Sequence, residues 1–229
     1  MSESEFGEQA AEIADRITDL APDDRIAAAC RGSGNPVALA WLAENLRLSS
    51  SSRVADLGAG LGGPSAWMQS RYGCTVFAVE PQQRAATAAV DLFGGPMVVS
   101  DADPTPFVDD AFDVALLLGV VSVVDDPRAV LREAHRIADA LGLIEYCSTG
   151  DNPVLAGGST FPTVDALTAM VSDSWTIDQT SAVSVETPSS WAHASEVVHD
   201  DSASDPDEEE VGRAIAEGRI APIMLVATR

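Results

Sequence analysis

The sequence predicts an α/β protein whose central sheet is largely parallel and covered by helices on both faces. Three observations carry this. From Arg53 onward, short apolar runs alternate with stretches of helical periodicity. The apolar runs are continuous, as in strands buried on both faces, and lack the in-out alternation of a half-solvated sheet. The first of them ends in a glycine-rich turn, Gly58-Ala59-Gly60-Leu61-Gly62-Gly63, that opens into a helix.

The first 50 residues read as helical. Phe6, Ala10, Ile13, Ile17 and Leu20 recur at steps of three and four and make one apolar helix face. Pro22-Asp23-Asp24 starts a second short helix reaching Cys30. Arg31-Gly32-Ser33-Gly34-Asn35 is a turn, and Pro36 suits the first position of a third helix ending near Leu46. After the polar spacer Ser49 to Ser52 come a strand from Arg53 to Leu57, a helix from Pro64 to Arg71, a strand from Cys74 to Val79 and a helix from Gln82 to Leu92. A third strand is expected over Pro96 to Ser100 and a fourth over Phe112 to Leu118. A helix from Pro127 to Ala140 follows, then a fifth strand from Gly142 to Cys147. Thr163 to Val171 reads as helix and Trp175 to Val185 as a sixth strand. Ser204-Asp205-Pro206 is a helix start, with the acidic residues Asp207 to Glu210 at the end where the helix dipole favours them. The last strand is Ile223 to Ala227. The organisation expected is a helical N-terminal cap over residues 1–48 and a cofactor-binding domain over 49–229, the two forming one unit.

Composition narrows the function. Of 229 residues, 46% are hydrophobic, enough for a sizeable core, yet no run approaches the roughly 18–20 apolar residues of a membrane span. The acidic start, Met1-Ser2-Glu3-Ser4-Glu5, is unlike a secretory signal. A soluble, cytoplasmic protein is expected. The formal charge is -23, and all 13 basic residues are Arg. So negative a surface repels phosphate backbones and anionic headgroups, which makes nucleic acid and membrane poor partners. Arg in place of Lys, with abundant Ala, Asp and Val, points to a GC-rich genome or to high salt. Cys30, Cys74 and Cys147 are widely spaced and odd in number, so neither a disulfide framework nor a metal site is expected.

The glycine turn is the main chemical signal. Glycines let the main chain approach a polar ligand, and the helix start beyond them offers unpaired N–H groups. The spacing Gly58-x-Gly60-x-x-Gly63 fits the dinucleotide fingerprint, and alone it does not separate a nicotinamide cofactor from S-adenosylmethionine. Asp56, two residues ahead of the first glycine, tips the balance. A carboxylate there suits the ammonium of a methionine-like ligand, directly or through water, and sits badly beside a pyrophosphate. Glu80 ends the second strand, where an acid accepts from both ribose hydroxyls of either cofactor.

At these residues the chain resembles the class I S-adenosylmethionine-dependent methyltransferases, from about Pro36 to Ser148 and more weakly to the end. Asp56-Leu57-Gly58-Ala59-Gly60-Leu61-Gly62 resembles the family's first motif, and Val79-Glu80-Pro81 its ribose-binding acid. Ser100-Asp101-Ala102, then Pro106-Phe107 and Ala111-Phe112-Asp113-Val114, resembles the segment that a dehydrogenase has no reason to carry. The resemblance implies a Rossmann-like sheet of seven strands, mostly parallel, with an antiparallel last strand inserted between the fifth and sixth. It implies S-adenosyl-L-methionine as cofactor and a small-molecule acceptor. Asp101 would accept from the adenine amino group and the Ala102 N–H would donate to a ring nitrogen. The Gly58 backbone and Leu118-Gly119 would hold the methionine end, with Gly60 and Gly62 shaping the turn, and Arg31 would pair with the cofactor carboxylate. The turn Asp139-Ala140-Leu141-Gly142 departs from the family's longer lysine- and glycine-bearing form.

Acid–base residues are few. After the fourth strand stand Ser122, a weak base, and Asp125 and Asp126, which suit a helix cap. His135 falls on a covering helix. His193 and His199 precede the last strand, where related enzymes often place substrate contacts. No catalytic residue is assigned. The absence of a clear base leaves a second reading open, a protein that binds the cofactor as a regulator or assembly partner without methyl transfer.

Overall fold

The computed structural model describes residues 3–30, 34–182 and 206–229. Arg31, Gly32, Ser33, His193, His199 and the end of the expected sixth strand lie outside the described residues. The described elements are α1 (Glu3–Ile17), α2 (Pro22–Ala29), α3 (Pro36–Asn45), β1 (Arg53–Leu57), α4 (Gly63–Tyr72), β2 (Thr75–Val79), α5 (Gln83–Phe93), β3 (Met97–Val98), β4 (Phe112–Leu118), α6 (Pro127–Ile137), β5 (Ala138–Ser148), β6 (Val154–Ala156), β7 (Ser159–Phe161), α7 (Val164–Ser172), β8 (Thr176–Ala182), α8 (Pro206–Ala216) and β9 (Ile220–Thr228).

Seven strands form one sheet in the order β3-β2-β1-β4-β5-β9-β8. The β1–β2, β1–β4, β2–β3 and β4–β5 pairs are parallel, and β9 runs antiparallel to both of its neighbours, β5 and β8. This is the Rossmann-like mixed sheet expected, with the last strand in the expected slot. The strand order reverses between β1 and β4. Open sheets of this kind take their ligand at such a point, above the carboxyl ends of the strands.

Alternate strand residues feed two cores. On one face Leu57, Ala115, Leu117, Leu141, Leu143 and Leu225 pack with Leu131 and Ile137 of α6 and Leu167 of α7. On the other, Val54, Leu116, Ile144 and Met224 meet Leu39 and Leu42 of α3 and Trp67 and Met68 of α4. A third cluster joins α1, α2 and α5 to Leu61 of the glycine turn. Helix starts follow local chemistry: Asn35, Asp126 and Thr163 each accept from the amide three residues on, at 2.9, 3.0 and 3.1 Å.

Three expectations need correction. The helix expected to run to Ala140 ends at Ile137, and β5 begins at Ala138 without an intervening turn. Ladder pairs Phe112↔Ala138, Ala140↔Thr228 and Leu141↔Ala227 pull these residues into the sheet and override the helix propensity of Ala-Asp-Ala. The third strand shrinks to Met97–Val98, paired on β2 alone. A hairpin, β6–β7, intervenes before α7; Phe161 and Ala156 pack there with Ala214 of α8 and Ile220 of β9.

Candidate active site

The glycine turn stands at the β1–β4 crossover. Gly58 and Ala59 both donate to the Val79 carbonyl at 2.9 Å, which ties the tip of β1 to the end of β2. Gly58 has φ +80°, and a Cβ there would lie 2.7 Å from Val120 Cγ2. Only glycine keeps the gap between the β1 and β4 tips open. Gly63 meets a different limit: its Cβ would fall 2.5 Å from the backbone of Ala29 and Cys30. The end of α2 therefore lies directly on the start of α4. Gly60 faces Phe6 of α1, whose ring would be 3.8 Å from an added Cβ. The N-terminal helices thus close over the turn.

Two buried carboxylates flank it. Glu80 accepts from the Gly60 amide through Oε2 at 2.8 Å and from the Gln82 amide through Oε1 at 3.0 Å. Burial pushes its carboxyl up, and the two amides partly offset that. Each carboxylate oxygen retains acceptor capacity after one bond, so this preset carboxylate suits the two hydroxyls of a ribose. Asp56, 1% exposed, accepts from Ser65 Oγ at 2.5 Å. Burial raises its pKa to about 6, opposed by the Ser65 hydroxyl and reinforced by the charge of Glu80.

The remaining expected residues fall around the same sheet end. Asp101 is exposed and Ala102 is buried against the sheet core. Their loop is anchored from α6, where buried Glu133 takes both donors of Thr105. Gly62 caps α4 in the left-handed region. Leu118 ends β4, half-buried, and the next amide, Gly119, donates to the Ile144 carbonyl at 2.8 Å. Arg31 lies outside the described residues. His135 stacks edge-on against Trp175, away from the turn, with ring centroids 5.0 Å apart.

Sequence reasoning missed two buried acids, one on α6 and one at the carboxyl end of β5. Glu133 is one; on an amphipathic helix it reads as solvent-facing. Glu145 is the other. It lies inside the apolar run Leu143-Ile144-Glu145-Tyr146-Cys147, and an acid in such a run was the available signal. It is 1% exposed and accepts from the Ser122 amide at 3.1 Å and the Ser122 hydroxyl at 3.0 Å. No group of three His, Cys, Asp or Glu among the described residues is arranged to hold a metal.

Residues 55–144 match a family model described as a methyltransferase domain. No curated protein matches the sequence. Among solved structures, the chain is similar to the cyclase SpnF, at 18% identity and TM-score 0.67, covering 83% of this chain and 79% of that one. It is similar to geranyl diphosphate C-methyltransferase from Streptomyces coelicolor A3(2), in complex with Mg2+, geranyl diphosphate and S-adenosyl-L-homocysteine, at 16% identity and TM-score 0.66, covering 83% and 79%. It is also similar to a putative sarcosine dimethylglycine methyltransferase from Galdieria sulphuraria, at 11% identity and TM-score 0.63, covering 83% and 84%. Residues 55–144 thus carry a methyltransferase domain, and the sheet around it has the Rossmann-like order with an antiparallel last strand. The buried acids Asp56 and Glu80 at the ends of β1 and β2 have the chemistry to hold the hydroxyl and ammonium groups of a cofactor there.

Proposed function

We propose that this enzyme methylates a small-molecule acceptor that enters above the ends of β4 and β5. The contact between Gly58 and Val120 carries the reading. It sets the turn after β4 beside the tip of β1, so that the β1–β3 side is left for the nucleoside and the β4–β5 side for the acceptor.

In this reading Glu80 takes the ribose hydroxyls, Asp101 and the Ala102 amide read the adenine, and the Gly58 backbone and Leu118 line the methionine end. Asp56 supplies the counter-charge to the ammonium from beneath the turn, through water. Gly60 and Gly62 give the turn its shape, and Arg31 pairs with the cofactor carboxylate. Residues 1–48 act as the cap and 49–229 as the cofactor-binding domain. When bound, the cofactor supplies an activated sulfonium methyl, so the protein's main task is alignment, which contributes several kcal/mol to the rate.

A small acceptor agrees with the charge of -23, which opposes any polyanionic substrate. No helix among the described residues is long and apolar enough to cross a membrane; we assign the enzyme to the cytoplasm. Incubation with isotope-labelled S-adenosylmethionine and the metabolite fraction of a cell extract tests the reading. A labelled small product is expected. Tight binding of S-adenosylhomocysteine with no labelled product would favour a cofactor-binding regulator or assembly partner that transfers no methyl group.

A further inference from the structure

We propose that Ser122 and Glu145 form a proton relay that deprotonates the methyl acceptor, Ser122 touching the acceptor and Glu145 acting through it. This rests on the reading that the acceptor lies above β4 and β5, and it adds that the acceptor carries a dissociable proton on oxygen or nitrogen.

Position comes first. Ser122 lies two residues beyond Val120, the side chain that fills the space beside Gly58. It stands in the turn that Val123 closes by donating to the Val120 carbonyl at 3.1 Å. Ser122 is half-buried, and its Oγ donates to Glu145 Oε1 at 3.0 Å. Glu145 sits on β5 one residue past Ile144, the partner of the last residue of β4, and so at the carboxyl edge of the sheet. Its carboxylate also accepts from the amides of Ser122 at 3.1 Å and Tyr146 at 2.9 Å. Backbone donors fix it, and among the described residues its side-chain donor is the hydroxyl of half-buried Ser122.

Burial is the second argument. Glu133 ties down its loop with Arg136 as counter-ion, whereas Glu145 has no cationic partner among the described residues, and an unpaired carboxylate is an expensive choice in an apolar core. Burial raises the proton affinity of Glu145, partly offset by the Tyr146, Ser122 and Val121 donors. A raised proton affinity is what a general base needs in order to take a proton. Its titratable neighbours are Tyr146 and Cys147 on the same strand, both pushed up by burial and then by the Glu145 charge, Cys147 to about 12. Across the ladders stand Leu118 of β4, paired with Ile144, and Ile223 of β9, paired with Glu145 itself. Neither side chain titrates, so Tyr146 and Cys147 are the titratable groups beside Glu145 among the described residues.

The step balances. The acceptor proton passes to Ser122 Oγ as the hydroxyl proton passes to Glu145 Oε1. The pair left on the acceptor forms the new bond to the methyl carbon, and the breaking C–S pair stays on sulfur. Glu145 then returns its proton through Ser122 to solvent.

The test uses the full-length protein and two readouts. In the labelled-extract assay, Ser122→Ala and Glu145→Gln are expected to lower the transfer rate about 100-fold or more, with S-adenosylhomocysteine affinity unchanged. Wild-type rate should rise with pH through the midpoint at which the 13C-labelled Glu145 carboxyl titrates in the S-adenosylhomocysteine complex. Ser122→Ala should move that midpoint, and Glu145→Asp should restore part of the rate. Transfer within a few-fold of wild type in either variant, or a pH limb unchanged by Glu145→Gln, overturns the relay. If Glu145→Gln does not fold, Ser122→Ala, which leaves Glu145 two amide donors from the turn, decides alone. If wild type labels nothing, the acceptor reading fails, and the carboxyl titration still judges the pair: a Glu145 that stays ionised from acid to mildly alkaline pH overturns it.

Discussion

Glu133 Oε1 accepts two hydrogen bonds from one residue, the amide of Thr105 at 2.8 Å and its hydroxyl at 2.5 Å. Arg136 closes the pair from the other side, its Nε donating to Oε2 at 2.8 Å and its Nη2 to Oε1 at 2.6 Å. A single carboxylate on α6 thereby anchors the loop that bears Asp101 and Ala102. Burial pushes this carboxyl up, but Arg136 and the two Thr105 donors outweigh burial and hold it below the ordinary carboxylate range.

With Asp101 and Ala102 reading the adenine as proposed, Glu133→Ala should loosen that side of the site as well as the fold. Leaving the Thr105 donors and half-exposed Arg136 without their acceptor costs about 1–3 kcal/mol, read as a drop in unfolding midpoint, and S-adenosylhomocysteine affinity should fall with it. Because the folded-state pKa is depressed, this stabilisation is present above the unfolded value and is lost as pH falls through the folded one. The gap in stability between wild type and variant should thus narrow in acid. A gap constant with pH would argue that the carboxyl has no ionic role.

Asp56 titrates in the opposite sense. Its pKa rises from the ordinary 3.8 to about 6 on burial, so its contribution to stability is full below the unfolded value and is lost as pH rises through 6. At neutral pH the cost is about 3 kcal/mol, taking about 1.4 kcal/mol per tenfold change in proton affinity. Asp56→Asn should stabilise the cofactor-free protein at pH 7 and less so at pH 4, while weakening cofactor binding. Chemical denaturation at the two pH values, paired with calorimetry, checks both halves; an unchanged cofactor affinity would remove Asp56 from the site.

Glu80→Ala should weaken cofactor binding by about 2–3 kcal/mol, since hydrogen bonds to a charged group are worth roughly 1.5–3 kcal/mol each. The amides of Gly60 and Gln82 lose their acceptor at the same time. With the carboxyl pushed up by burial, wild-type affinity should also decline on mild acidification. Equal binding by the variant would mean that the ribose is held elsewhere.

Gly63→Ala should separate packing from ligand contact. The new methyl would lie 2.5 Å from the backbone at the end of α2, and overpacking of this kind costs about 1–3 kcal/mol. The expected readout is a lower unfolding midpoint with faster amide exchange in α2. Normal exchange there would show that the cap adjusts without cost.

Much of the molecule was legible before any coordinates. The order of strands and helices followed from periodicity, and Asp126 was recognisable as a cap from its place before Pro127. The turn and its two flanking acids were visible because glycines and strand-end carboxylates are local signals. What escaped depended on partners distant in sequence. Ala138 to Ala140 look helical until Phe112 and Thr228 are seen beside them. The short strands β6 and β7 carry too few residues to show a period. Glu133 and Glu145 gain meaning only from Thr105 and Ser122, 28 and 23 positions away.

The antiparallel strand β9 also governs how the sheet is assembled. It is the ladder between β5 and β8, and it pairs with β5 from Ala140↔Thr228 to Ser148↔Ile220. Contacts so distant along the chain form slowly, because the intervening loop loses its entropy before they reward it. Until β9 docks, the edge of β5 stays open and β8 has no place in the sheet. The seam that joins β8 to the rest of the sheet is therefore expected to close late, and a chain arrested before that point exposes an edge that invites misassembly.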